Sequence, residues 1–294
     1  MIWILLLVIA HIFYALVFIF DKYILSKPMP NPIVYAFYVS VLGIFVLALL
    51  PFGFVMPNSR EMFWGLIAGV AQVWGLIIFY KALNKSEVTR LAPFVGGISS
   101  AFILLLNSIS IKEFLSTKQL IAFALLILGS LIIGYKKNKF FDKGVFWPAV
   151  FSSFLFAVFW VITKYLFLGT NFVSGLIWVR VGVAIIALLL LFPKNNRKVI
   201  FSRTKEAKPK IAGFFMLGRI LNIAGSLFLY GAIFLGSVVI GNALQGLQYV
   251  FILILALLLF KKIPGLKEHL NKETLFQKII AILLICIGLG ILVI

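Results

Sequence analysis

The chain has 294 residues, of which 63% are hydrophobic and 12% charged, and its formal net charge is +19. Soluble domains carry about a quarter charged residues and roughly half apolar ones. One or two soluble cores cannot hide this much Leu, Ile, Val and Phe, so the sequence reads as an integral membrane protein.

Taken in order, ten apolar runs approach the ~20 residues that cross a hydrocarbon core of ~30 Å. They lie at 2–22, 32–53, 62–83, 88–109, 117–135, 144–167, 172–192, 211–234, 237–260 and 274–294. The first has no preceding Lys or Arg and no small-residue cleavage site after it, so it is expected to be a retained span, not a signal peptide. "SKPMPNP" (26–32), "MPNS" (56–59), "KKNKFFDK" (136–143) and "FPKNNRK" (192–198) punctuate the runs. The only break between the eighth and ninth is "FLGS" (234–237). The runs are continuously apolar and not alternating, which excludes a β-barrel. The fold class expected is all-α, with ten transmembrane helices.

An even number of spans puts both termini on one side. Most Lys and Arg residues then gather on the other, including "KKNKFFDK" and the segment 194–210. The positive-inside rule makes that side cytoplasmic and places both termini outside, in the plasma membrane. The same basic loops account for the net charge by contact with lipid headgroups, and no nucleic-acid partner is implied. Cys286 is the lone cysteine, so no disulfide or cysteine metal site is expected. His11 and His269 are far apart in sequence, and no cofactor or metal is expected.

The chain repeats itself. "FYALVFIFDKYIL" (13–25) lies over "LFAVFWVITKYLF" (155–167), aligning Lys22 with Lys164 and Tyr23 with Tyr165. "GLIIFYKALNKSEVTRLAPFVGG" (75–97) lies over "GSLFLYGAIFLGSVVIGNALQGL" (225–247), aligning Tyr80 with Tyr230 and Gly96 with Gly246. Order, spacing and polar positions such as Gln72 with Asn222 coincide. The halves expected are 1–137 and 144–294, joined by a basic linker at 138–143. Two homologous halves of five spans must insert with opposite topology, the inverted repeat of alternating-access transporters, whose substrate sits near the midplane.

The segment "YxAL…VxxLxPF" at 80–94 resembles the third-to-fourth helix signature of the EamA-like branch of the drug/metabolite transporter superfamily. "IKEFLSTKQLIAFALLILGSLII" (111–133) is similar to that family's next connection, a Glu-bearing turn and a Gly-bearing helix. "KEHLNKETLFQKIIAILLICIGLGIL" (267–292) echoes it, with Glu268 in the turn. The resemblance implies a ten-helix carrier, often an exporter of amino acids, metabolites or drugs. Ala243 departs from the pattern by standing where the first half has Pro93, so a weak kink is expected there.

Charges inside the spans narrow the chemistry. Glu61, Glu87, Glu113, Asp142, Glu206, Glu268 and Glu273 fall in loops or at span ends, and Asp21 falls at the end of the first span. No carboxylate occupies a span centre, which disfavours proton-driven export of cationic drugs. Arg180 and Arg219 lie near the middle of the seventh and eighth runs. A central Arg costs roughly 2.5–3.5 kcal/mol to insert, so both should face protein or a wet cavity.

Arg219, Asn222, Ser226 and Tyr230 recur at i, i+3, i+7 and i+11, one face of a helix. Asn242, Gln245 and Gln248 form a second stripe on the ninth run. The substrate-binding set expected is Arg219, Asn222, Asn242, Gln245, Gln248, Arg180, His11 and Lys164. With no acid at its depth, Arg219 is expected to meet solvent or an anionic substrate through its forked donors.

Each residue also has a structural reading. Arg180 pairs with Asp21 or with helix-end carbonyls. The amides bond neighbouring helices. His11 is packed and hydrogen-bonded, and Lys22 and Lys164 snorkel to the interface. Trp74, Trp160, Trp178 and Tyr249 either form the apolar part of a pocket or face lipid. Gly65 and Gly69 form a close-packing GxxxG.

The function these residues favour is secondary transport, by export or exchange, of a small metabolite bearing an anionic group, such as an amino acid. It would run by a gradient, since no GxxxxGK[ST] loop is present, and as a monomer or homodimer. Alternatives are a membrane enzyme acting on lipid or isoprenoid phosphates, an exporter of cationic or neutral drugs, and a scaffold or sensor. The enzyme lacks clustered acid–base or metal groups.

Overall fold

The computed structural model describes residues 2–25, 31–86, 88–110, 116–134, 142–205, 209–259 and 272–293. The first half contributes α1 (Ile2–Leu25), α2 (Pro32–Val41), α3 (Ser59–Asn84), α4 (Val88–Ser110) and α5 (Thr117–Gly134). A 3-10 segment, Leu42–Leu49, continues α2. The second half contributes α6 (Lys143–Gly169), α7 (Phe172–Leu189), α8 (Lys194–Lys205), α9 (Pro209–Leu235), α10 (Val238–Ala243), α11 (Gln245–Leu259) and α12 (Lys272–Val293). The described residues include no strand, in keeping with an all-α membrane protein.

Eight described stretches are long and apolar enough to cross a membrane. Two shorter apolar stretches, Thr117–Gly129 and Ile279–Gly288, stand where the fifth and tenth spans were expected. The turns holding Glu113 and Glu268, and linker residues 138–141, lie outside the described residues.

The punctuation read from the sequence caps helices. The Asn58 side chain accepts from the Glu61 N–H at 2.9 Å while Glu61 accepts from the Asn58 N–H at 2.8 Å. This reciprocal pair satisfies two donors that the first turn of α3 would leave bare. Asn31 caps α2 ahead of Pro32, whose missing N–H costs nothing at that position. Asn171 caps α7, accepting from Ser174 N–H at 2.8 Å and donating to the Gly53 carbonyl at 3.0 Å. That second bond ties the turn after the 3-10 segment to the start of α7.

Three elements differ from expectation. The second apolar run changes from α-helix to 3-10 geometry at Leu42, although its composition is uniformly apolar. The basic stretch after Pro193, expected as a loop, forms α8; its Ile200 is buried in the core while Phe201 is 52% exposed. The ninth run is interrupted at Leu244, between α10 and α11, whereas α4 runs unbroken through Pro93. The weak kink expected at Ala243 is therefore a break. Gly241 and Gly246 flank it, and glycine costs helix stability by roughly 0.5–1 kcal/mol each.

Helices associate in lipid by close packing, since the surrounding chains are as apolar as the helices themselves. α1 packs along α9, α3 along α6 and α7, α4 along α6, and α5 along α12. The GxxxG of α3 makes the tightest of these contacts. A Cβ added to Gly69 would strike the Gly182 carbonyl of α7, and one added to Gly182 would strike the Gly65 carbonyl. Backbone thus touches backbone, as Gly65 and Gly69 led one to expect.

Candidate substrate cavity

The helices enclose a cavity of about 200 Å3, lined by residues of α1, α2, α3, α4, α6, α7, α9, α10 and α11. Six of the eight expected site residues line it: His11, Arg180, Arg219, Asn222, Gln245 and Gln248. So do Ser226 and Tyr230, which complete the stripe of α9, and Gln72 of α3. Trp160 and Tyr249 supply part of the aromatic wall, whereas Trp74 is 48% exposed on the bundle's outside. Trp178 lies against Gly65 instead. The side chains of Asn242 and Lys22 lie outside the described residues.

The structure corrects the reading of Arg219. Its Nη2 donates to Asp21 Oδ1 at 2.5 Å, so a carboxylate of the same chain neutralises it. The depth given to Asp21 explains the miss. α1 continues to Leu25, beyond the apolar run, which carries Asp21 a full turn inside the helix. Arg219 lies ten residues after Pro209 and three before Asn222, the midpoint of α9, as its place in the apolar run led one to expect. The continuation of α1 and its packing along α9 bring the acid to the base.

Tyr35 of α2 also donates to Asp21 Oδ1. The guanidinium sits 5.7 Å from the Tyr35 ring centre and 5.2 Å from that of Phe215. Tyr80 stands edge-on to Tyr35, with ring centres 4.8 Å apart. The charge pair is thus held in an aromatic cage, where loss of either partner would leave an uncompensated ion.

Arg180 has the environment that had been expected for Arg219. Its Nη2 donates to Ser226 Oγ at 2.9 Å, and its guanidinium lies 5.0 Å from the Tyr230 ring centre. Ser226 accepts also from Tyr14 at 3.1 Å and donates to the Asn222 carbonyl at 2.7 Å. That hydroxyl's single donor and both acceptor sites are engaged, so it orients Arg180 without neutralising it. Arg180 does not pair with Asp21, and among the described residues it has no carboxylate partner.

Further along the wall, His11 Nδ1 lies 3.4 Å from Gln248 Oε1. His11 Nε2, Gln248 Nε2 and Arg219 Nε have no hydrogen-bond partner among the described residues. Two of these three are obligate donors, and with Arg180 they make the lining richer in donors than in acceptors.

Lys164 does not line the cavity. Its Nζ donates to the carbonyls of Gly236 at 2.6 Å, Ile233 at 2.9 Å and Phe234 at 3.5 Å, closing the C-terminus of α9. A cation there meets both the bare carbonyls and the negative end of the helix dipole. Lys164→Met should lower the thermal midpoint by the loss of charge-assisted bonds, each worth ~1.5–3 kcal/mol, while substrate affinity in the surviving folded protein stays within twofold. Thermal unfolding and uptake on one preparation check both halves of that expectation.

Sequence reasoning missed Asp21, Tyr35 and Tyr14 as site residues. The available signal was the stretch "FDKY" at 20–23, a carboxylate at a span end with its helix not yet terminated.

Comparison with known proteins agrees with this architecture. An uncharacterised protein of Methanocaldococcus jannaschii is 24% identical over 125 residues, which are 88% of that protein but 42% of this chain. That relative is therefore about half as long. A crystal structure of another protein covers 97% of both chains with a TM-score of 0.63 at 15% identity, a likeness of fold. The family model of the EamA-like transporter family matches residues 1–135, a stretch that runs from α1 through α5. The first half of the chain is thus similar to the EamA-like transporter family of the drug/metabolite transporter superfamily, whose members are membrane transporters and not enzymes.

Proposed function

We propose that the protein is a secondary transporter of a small organic molecule with an anionic group, which meets Arg180 in the central cavity. One observation carries this reading. Arg180 is a permanently charged group lining the cavity, and its contacts among the described residues, Ser226 and the Tyr230 ring, are neutral. The donors at Gln248 and Arg219 extend the same preference. Asp21, the carboxylate in the lining, is engaged by Arg219, so a cationic passenger would have to displace that arginine.

Alternating access between 1–137 and 144–294 is part of the proposal. Under the repeat alignment α1 corresponds to α6 and α3 to α9, and the pairs α1–α9 and α6–α3 are both closely packed, as a twofold exchange of halves requires. The half-length relative supports the same reading. The plasma membrane, with both termini outside, remains the placement favoured by the basic loops.

The test is counterflow in proteoliposomes against amino acids, organic acids, phosphorylated metabolites and cationic drugs. Arg180→Gln should raise the half-saturating concentration of the transported anion about 10- to 100-fold, the worth of a charge-assisted bond, with Arg180→Lys between. Transport confined to cations, or unaltered by Arg180→Gln, overturns the assignment.

A further inference from the structure

We infer that the substrate is a single-chain amphiphile, its anionic head at Arg180 and its alkyl tail in a groove that opens through the side of the bundle toward lipid. This rests on the anion reading above and extends it to the rest of the molecule. A second cavity, of about 210 Å3, lies between the 3-10 segment and α9. Arg180, Arg219, Asn222 and Ser226 line both cavities, so the two meet at the guanidinium groups.

Away from that junction the groove's walls are apolar. Leu42, Val46 and Leu49 form one side, Ile223 and Leu227 the other. Its rim belongs to the outer surface of the bundle: Phe45 is 60% exposed and Leu227 40%. These residues lie within apolar helical stretches long enough to cross a membrane, so the medium they face is hydrocarbon. A water-filled entrance would be lined by groups that hydrogen-bond, and this one is lined by side chains that an alkyl chain matches.

The wall that makes the groove is unusual. A 3-10 run of eight residues is longer than the three or four that such geometry ordinarily sustains, and mid-helix 3-10 stretches mark strain or hinges. Gly43 lies against the Arg180 side chain, where a Cβ would stand 3.4 Å from its Cδ, an ordinary contact. Under the repeat alignment α7 against α3 is the counterpart of α2 against α9. The first pair closes backbone on backbone at Gly69 and Gly182, while the second is parted by the groove. At ~2.0 Å rise per residue the segment gives a trough on the order of 16 Å, the reach of one medium-length chain.

Head and tail can be separated with simple probes on the full-length protein in phosphatidylcholine nanodiscs, reading the thermal midpoint against concentration. Dodecyl phosphate should stabilise at concentrations about 10-fold or more below those of ethyl phosphate, because the tail adds buried methylenes. Dodecyltrimethylammonium should not stabilise. Ala48→Phe, which fills the groove from its lipid side, should bring dodecyl phosphate to the level of ethyl phosphate and leave ethyl phosphate unchanged. Arg180→Gln should remove the response to both phosphates.

Equal potency of the two phosphates on the unaltered protein, with or without a folded Ala48→Phe variant, overturns the tail groove and leaves the anion reading standing. Equal stabilisation by dodecyltrimethylammonium also overturns it, since the groove would then hold any chain, bilayer lipid included. Failure of both phosphates to stabilise the unaltered protein removes the anion reading and the amphiphile with it.

Discussion

Asp21→Asn should destabilise the protein by about 3–5 kcal/mol, the cost of leaving a buried charge without its partner. Asparagine keeps the size and a carbonyl acceptor for Tyr35, so the loss reports on charge alone. Arg219 is 4% exposed and is caged by Tyr35 and Phe215, which leaves the cation little access to water. Asp21→Leu combined with Arg219→Met should recover most of that stability, because an apolar pair of similar volume incurs no desolvation penalty. Chemical unfolding in detergent, comparing the single and double variants, measures the coupling. A single variant as stable as the unaltered protein would show that the pair contributes no more than an exposed one, about 0–1 kcal/mol. Because Asp21 comes from α1 and Arg219 from α9, the same pair fastens the first half of the chain to the second.

Gly182→Val should prevent α3 and α7 from packing and yield little folded protein. The atoms that a side chain at Gly182 would strike belong to the Gly65 backbone, and Gly69 meets the Gly182 backbone in return. No rotamer change relieves a clash with backbone, so the helices must separate; overpacking of this kind costs ~1–3 kcal/mol, and more where nothing can yield. Gly213→Ala is the matched control. A Cβ at Gly213 meets nothing within 4 Å, and alanine favours the helix by up to ~1 kcal/mol, so its thermal midpoint should hold or rise. Yield of monodisperse protein separates the two variants. Equal yields would show that the α3–α7 contact is looser than the backbone positions indicate.

Much of this protein can be read along the chain. The membrane class, the apolar runs, the punctuation that holds Asn31 and Asn58, and the polar stripe from Arg219 to Tyr230 are all local properties. Each depends on composition, on a 3.6-residue period or on a side chain reaching two or three residues ahead. The stripe was legible for that reason, and its four members do line the cavity. The helical nature of the segment after Pro193 and the 3-10 geometry after Val41 were not legible, because composition alone does not separate these conformations from a loop or an α-helix.

What the sequence determined by itself is that helices cross a membrane and carry two arginines into it, since hydropathy over some twenty residues decides insertion whatever the neighbours are. Which arginine stays available was decided by tertiary structure alone. Asp21 and Arg219 are 198 positions apart, and their pairing depends on where α1 ends and how it registers against α9. Ser226, a neutral hydroxyl, faces Arg180 for the same reason, and the cation left for the anionic substrate proposed above is therefore Arg180 and not the one that its position in the sequence favoured.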